Sequence, residues 1–249
     1  MKIRPNSIIL GDCLEILPSI SDKSIDFICC DLPYNMTKNS WDSLIPLDKL
    51  WEQYKRIIKD NGCIALFGQG KFAFKLGISN EDWFKYDIIW KKGNRVSGFL
   101  NAKKQPMRNH EQILIFYKNQ PTYNPQFTEG IPLHSKGKSY LDKQGVNNNY
   151  GYYSTSIPET RKGSTQKYPK SIIDFDRPHP PIHPTQKPVE LCEWLIKTYT
   201  NEGEIVLDNT CGVGTTCIAA KNTNRQYIGI EKEQKYYNLI KNNISGIFA

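Results

Sequence analysis

The run Ile25-Asp26-Phe27-Ile28-Cys29-Cys30 passes directly into Asp31-Leu32-Pro33-Tyr34, and no other stretch constrains the fold as tightly. A short, nearly continuous apolar run bounded by a turn reads as a strand buried on both faces, the texture of a parallel sheet. A polar-Pro-aromatic cluster at the carboxyl end of such a strand lies where α/β sheets place their sites. Pro33 stiffens the turn and holds Leu32 extended, so the Leu32 carbonyl is fixed. Three contacts then meet in one small volume: a carboxylate acceptor from Asp31, a backbone acceptor from Leu32 and a flat face from Tyr34. That set suits a planar group bearing an exocyclic amine, whose hydrogens go to the two acceptors while its ring stacks on the aromatic.

The rest of the chain supplies the other parts of such a sheet. A strand is expected from Ser7 to Leu10, followed by Gly11-Asp12-Cys13-Leu14-Glu15 and a short helix before Pro18. From Pro46 to Ile58, Leu47, Leu50, Trp51, Tyr54, Ile57 and Ile58 recur at helical spacing, and Asn61-Gly62 reads as the helix stop. Strands are expected from Cys63 to Phe67, Phe84 to Trp90 and Gln112 to Tyr117, with a short helix near Phe72 to Leu76. After a long irregular stretch the alternation resumes: helix from Pro188 to Tyr199, strand from Glu204 to Asp208, helix from Thr215 to Asn222, strand from Gln226 to Glu231 and a helix from Glu233 to Ile244. The fold class is therefore α/β, a Rossmann-like, mostly parallel sheet with helices on both faces. With 249 residues there is room for one such domain carrying an insertion.

Residues 119–181 are that insertion. Apolar periodicity disappears there, and tyrosines are interleaved with Lys136, Lys138, Lys143, Arg161, Lys162, Lys167 and Lys170. Basic groups beside aromatic and amide side chains suit phosphates and base edges. The chain divides accordingly into 1–118, 119–181 and 182–249. A second basic segment, from Lys91 to His110, carries Lys91, Lys92, Arg95, Lys103, Lys104 and Arg108 without an acid, and its glycines and Pro106 mark it as a loop. It is the candidate phosphate clamp. The formal net charge of +8 and a pI near 9.0 favour the same polyanionic class of partner. No apolar run is long enough for a membrane span and no signal-peptide pattern opens the chain, so a cytoplasmic protein is expected. The seven cysteines show no metal-ligand spacing and read as small core residues. His179 and His183 sit among prolines with no partner cluster, so no metal is expected.

A second site signal lies in Ile205-Val206-Leu207-Asp208-Asn209-Thr210-Cys211-Gly212-Val213-Gly214-Thr215-Thr216: strand, glycine-rich turn, helix start. Glu231 ends the next strand, 19 residues after Gly212, the spacing at which an acid reaches a ribose hydroxyl pair. The pattern marks a nucleoside cofactor without saying which. A third dinucleotide-type glycine is absent and no phosphate-binding Gly-Lys-Ser/Thr element is present, which disfavours ATP.

Together these residues resemble the amino-group DNA methyltransferases with permuted motif order, the beta group. The pieces that carry the resemblance are Gly11 to Glu15, Asp31 to Tyr34, His183-Pro184-Thr185-Gln186-Lys187-Pro188 and Asp208 through Thr216, in that group's order. The resemblance implies S-adenosylmethionine as methyl donor and the exocyclic amine of a flipped base in duplex DNA as acceptor. It implies catalysis by the Asp31-Leu32-Pro33-Tyr34 turn, with no metal. Glu231 would hold the ribose hydroxyls, and Asp12 and Cys13 would lie near the cofactor adenine. Asp208, Gly212, Gly214, Thr215 and Thr216 would line the methionine and sulfonium side, close to Asp31, with Thr185, Gln186 and Lys187 closing it. Two departures stand out. Leu32 replaces the family's usual proline, and Asn209-Thr210 replaces its Pro-Phe, removing an aromatic contact to the cofactor. An Asp opening the tetrapeptide accompanies adenine more often than cytosine in that family, so adenine-N6 is expected over cytosine-N4. A homodimer and a cognate restriction endonuclease are left open as partners. Rival readings are an NAD-dependent dehydrogenase, which the cofactor half alone permits, and a DNA-binding regulator without catalysis.

Overall fold

The computed structural model describes residues 3–34, 44–132, 145–147, 151–153, 163–179 and 186–244. They form two compact units, one of Met1–Asn124 with Lys170–Ala249 and one of Pro125–Pro169.

The larger unit is built on an eight-stranded sheet. Its elements are β1 (Ser7–Leu10), α1 (Cys13–Ile16), β2 (Ile25–Cys30), α2 (Leu47–Ile57), β3 (Ile58–Gly68), α3 (Lys71–Ile78), β4 (Phe84–Lys91) and β5 (His110–Phe116). The smaller unit supplies β6 (Thr128–Glu129), β7 (Gly145–Asn147), β8 (Gly151–Tyr153) and β9 (Gln166–Lys167). The larger unit resumes with β10 (Ile172–Asp174), α4 (Val189–Tyr199), β11 (Ile205–Asp208), α5 (Thr215–Asn222), β12 (Gln226–Glu231) and α6 (Gln234–Ile244). Strand order is β1-β12-β11-β2-β3-β5-β4-β10. All neighbours are parallel except β5, which runs against both β3 and β4.

The core has two layers because β2 and its neighbours are apolar on both faces. Ile28, Cys30, Ile64 and Leu66 turn to one side, where they meet Leu50, Trp51, Tyr54 and Ile57 of α2. Phe27, Cys29, Cys63 and Ala65 turn to the other, against Leu191, Cys192, Leu195 and Ile196 of α4 and Ala219 and Ala220 of α5. The apolar stripe read at three- and four-residue spacing is thus the buried face of α2. The exception in β2 is Asp26, buried and satisfied by the Lys59 ammonium at 2.6 Å and the Ile205 N–H at 2.9 Å.

One boundary differs from the sequence reading. Asn61-Gly62 does not stop α2, which ends at Ile57 and turns straight into β3 at Ile58. The pair lies inside β3, where the register with β2 jumps from Ile25↔Ile58 to Phe27↔Cys63. Residues 59–61 are looped out of the ladder there. A Cβ on Gly62 would stand 2.9 Å from the Asp26 carbonyl oxygen, so the glycine serves close strand approach rather than helix termination.

The larger unit also takes up both flanks of the 119–181 stretch. The Asn124 amide donates to the Thr200 carbonyl at 3.0 Å, and β10 extends the sheet beside β4. The smaller unit contains the antiparallel pairs β6–β9 and β7–β8, with the rings of Phe127 and Tyr168 5.0 Å apart. Lys136, Lys138, Lys143, Arg161 and Lys162 lie outside the described residues.

Candidate active site

The turns after β1, β2, β11 and β12 open at the same edge of the sheet and line one cleft of about 240 Å³. Asp12 and Cys13 enter from the first turn, Asp31 to Tyr34 from the second, Asp208, Gly212, Thr215 and Thr216 from the third, and Glu231 from the fourth. Gln186 and Lys187 close it, and Thr185 lies outside the described residues. Gly214 does not border the cleft. Its φ of +83° places it in the left-handed region, and a Cβ there would meet Ile240 of α6 at 2.7 Å, so it packs the turn against a helix instead. Asn209, Thr210 and Val213, inside the glycine-rich motif but given no role there, also line the cleft, as does Tyr236, which lies outside every motif.

At the Glu231 end, backbone donors fix the acids. Asp12 Oδ1 accepts the Leu14 N–H at 2.9 Å and caps α1. The Glu231 carboxylate is braced by the Gly212 N–H on Oε2 and the Glu233 N–H on Oε1, both at 2.7 Å. Burial pushes this carboxyl upward and the two N–H groups pull it back. Each oxygen keeps acceptor capacity for a hydroxyl. Asp208 accepts the Thr210 N–H at 3.1 Å, yet burial pushes its carboxyl up to about 7. The Thr210 hydroxyl in turn donates to the Asp31 carbonyl at 3.1 Å, tying the glycine-rich turn to the tetrapeptide.

At the other end an alternating chain of charges runs away from Asp31. The Tyr34 hydroxyl donates to Asp31 Oδ1 at 2.6 Å, and the Lys187 ammonium is ion-paired to Oδ2. Lys187 also reaches Glu111 Oε2 at 3.2 Å and lies 4.9 Å over the Phe67 ring. Lys92 completes the series on Glu111 Oε1. The cluster is neutral: two ammonium groups, two carboxylates. Burial pushes the Asp31 carboxyl up against the pull of Lys187. Burial opposes the charge on Glu111 as well, but the ammonium groups of Lys187 and Lys92 hold its carboxyl down to about 2. Burial also works against the Lys187 ammonium, and its two carboxylate partners more than reverse that.

Two expectations change here. Tyr34 offers less than the whole flat face expected of it: one side of its ring stacks on Phe72 at 4.6 Å and 29°, and its hydroxyl is engaged with Asp31. Lys92, expected in the phosphate clamp, is instead buried, 4% exposed, because it neutralises Glu111. Lys91 is ion-paired to Asp174 at 2.6 Å but stays half exposed, Arg95, Lys103 and Lys104 are exposed, and Arg108 is partly buried. Leu32 buries its side chain in the core, so what it offers the cleft is backbone. Glu111 belongs to no motif recognised in the sequence. Its signal was a single acid at the start of an apolar strand, next to a long basic stretch.

The doubly wound sheet, the braced acid beyond a glycine-rich turn and the carboxylate-Pro-aromatic turn beside it define a Rossmann-like methyltransferase. The family model described as DNA methylase, covering N6/N4 methyltransferases, matches residues 25–242, and the chain belongs to that family. The Type II methyltransferase M.HinfI of Haemophilus influenzae is 28% identical over 271 residues, covering 97% of this chain and 69% of that protein. Among solved structures, the M1.HpyAVI–SAM complex is 25% identical with a TM-score of 0.63, covering 95% of this chain and 98% of the other. The PvuII DNA methyltransferase (cytosine-N4-specific) shares the fold at 16% identity and a TM-score of 0.68, over 96% of this chain and 86% of its own. No helix among the described residues is long and apolar enough to cross a membrane.

Proposed function

We propose that this chain transfers a methyl group from S-adenosylmethionine to the exocyclic N6 amine of an adenine flipped out of duplex DNA. The observation that carries the reading is the shared cleft, with the Asp31-Leu32-Pro33-Tyr34 turn at one end and the braced Glu231 carboxylate at the other. The residues fit the donor. Glu231 offers an acceptor to each ribose hydroxyl, Asp12 and Cys13 border the nucleoside end, and the buried Asp208 carboxyl favours a cation beside it. S-adenosylmethionine, when bound, supplies a methyl group made electrophilic by the sulfonium.

The chain's own residues receive and aim the amine. Asp31 and the Leu32 carbonyl accept the amine hydrogens, drawing the nitrogen lone pair out of conjugation with the ring. To do so Asp31 gives up a partner, and two are held ready to move. Tyr34 lifts its hydroxyl away and offers its ring to the base. Lys187 already lies within reach of Glu111, so it shifts onto that carboxylate without becoming an unpaired buried charge. Positioning supplies much of the rate, and no strong base is needed before attack. The Asp at the head of the tetrapeptide favours adenine over cytosine by its association within the family.

The test is transfer of labelled methyl from S-adenosylmethionine to mixed-sequence duplex DNA, followed by digestion and nucleoside separation. N6-methyladenine is expected. N4-methylcytosine would overturn the choice of base, and an unlabelled DNA would overturn the reading itself.

A further inference from the structure

The excursion between β4 and β5 carries an exposed apolar tip. Phe99 and Leu100 are 72% and 85% exposed, and Val96 and Met107 on the same excursion are 45% and 46% exposed. Single exposed apolar residues are ordinary, but a cluster on one short projection marks a contact surface. The tip is built rather than slack. Phe99–Asn101 forms a 3-10 turn entered through Gly98 at φ 81°, with the Asn101 N–H donating to the Gly98 carbonyl at 2.9 Å. Ser97 and Arg108 exchange backbone hydrogen bonds at 2.8 and 3.0 Å and close the stem.

The stem stands on the catalytic edge. The Lys92 N–H donates to the Asn109 carbonyl at 2.8 Å, and the side chains of Lys92 and Glu111 lead through Lys187 to Asp31. Around the tip, Arg95, Lys103 and Lys104 are exposed, and no acid occurs from Lys91 to His110. An apolar tip ringed by cations fits a polyanion with an apolar interior, which is the stacked duplex. We propose that Phe99 and Leu100 form a wedge that enters the base stack of DNA as the target base leaves it, while Arg95, Lys103 and Lys104 hold the flanking phosphates. Apolar wedges between base steps are a known way to offset unstacking, and part of the extrusion cost is theirs to recover. The inference rests on the DNA methylation reading above.

The test compares the unaltered chain with a Phe99→Ser/Leu100→Ser variant on two duplexes bearing the site mapped by methyl transfer. One is fully paired; the other lacks the complementary strand around the target base, which is then neither paired nor held in a duplex stack, so extrusion costs little. Both side chains are exposed, so the substitutions leave the core intact. Transfer to the paired duplex is expected to fall about tenfold or more, since each 1.4 kcal/mol of lost assistance is about tenfold. On the gapped duplex the variant is expected within about twofold of the unaltered chain, given the same extrusion argument. Full activity on the paired duplex, or an equal loss on both, would overturn the wedge. So would a change of sedimentation in the variant, which would make the patch an interface between copies of this chain. Failure of the unaltered chain to methylate any DNA would instead remove the reading beneath it.

Discussion

At the scale of single residues, Asp31 carries the most weight, and its partners decide what it can do. Asp31→Ala is expected to lower transfer by a factor on the order of a hundred or more while cofactor binding persists, the size of loss seen when one positioned electrostatic group is removed; single-turnover transfer with calorimetry of S-adenosylmethionine binding checks this. Glu111→Gln acts one step further out. The Glu111 charge raises the Asp31 carboxyl, so removing it lowers that group, and the acid limb of kcat/KM is expected to move to lower pH. The rate on the plateau should also fall, because Lys187 loses its second carboxylate. A plateau loss with an unmoved limb would leave Glu111 a merely structural partner. Asp208 gives a third handle. A cation bound beside a carboxyl pushed up to about 7 favours its ionised form, so binding releases a proton. Affinity for S-adenosylmethionine should therefore rise as pH goes from about 6 to about 8, and Asp208→Asn should flatten that dependence. Calorimetry in buffers of differing ionisation enthalpy measures it directly.

At the scale of elements, the segment from Lys91 to His110 is not one basic loop but a stem and a tip with different charges at work. Lys103→Ala/Lys104→Ala should flatten the log–log salt dependence of DNA binding by about 0.9 per lost phosphate contact. Lys92→Ala should leave that slope unchanged and lower the urea midpoint of the folded chain, because it removes one of the two ammonium partners of the buried Glu111 charge. Filter binding across a salt series, with urea denaturation in parallel, separates the two. The sequence could not make this distinction: all three lysines sit in the same acid-free run, and the partner of Lys92 lies 19 residues away on the next strand. Strand β3 teaches the same lesson in backbone terms. Asn61-Gly62 has the composition of a helix stop, and what overrides it is the contact of Gly62 with the Asp26 carbonyl of the neighbouring strand.

At the scale of the molecule, the residues lining the cleft all belong to the unit of Met1–Asn124 and Lys170–Ala249. S-adenosylmethionine at about a hundred times its dissociation constant should stabilise that unit by about 2.7 kcal/mol. In hydrogen exchange, slowing is expected at the ends of β2, β11 and β12, with the hairpins of Pro125–Pro169 unaffected. Slowing confined to those hairpins would place the cofactor elsewhere. We propose that the smaller unit, with the flanking residues of 119–181, reads the DNA site.

What the sequence determined by itself was local in origin. Apolar runs made buried strands, three- and four-residue spacing made the buried face of α2, and turns after strands placed Asp31, Asp208 and Glu231 at one edge, because parallel strands bring their carboxyl ends together. The same logic made the turns that line the cleft legible before any side-chain contact was known. The tertiary structure alone decided which charges are spent inside the protein. Lys92, Glu111, Lys187 and Asp31 come from four separate turns and strands, and burial far from water forces opposite charges into contact whatever their distance along the chain. It also decided that Gly214 packs a helix and that Phe99 and Leu100 stand clear of the core, since exposure is a property of neighbours rather than of residue type.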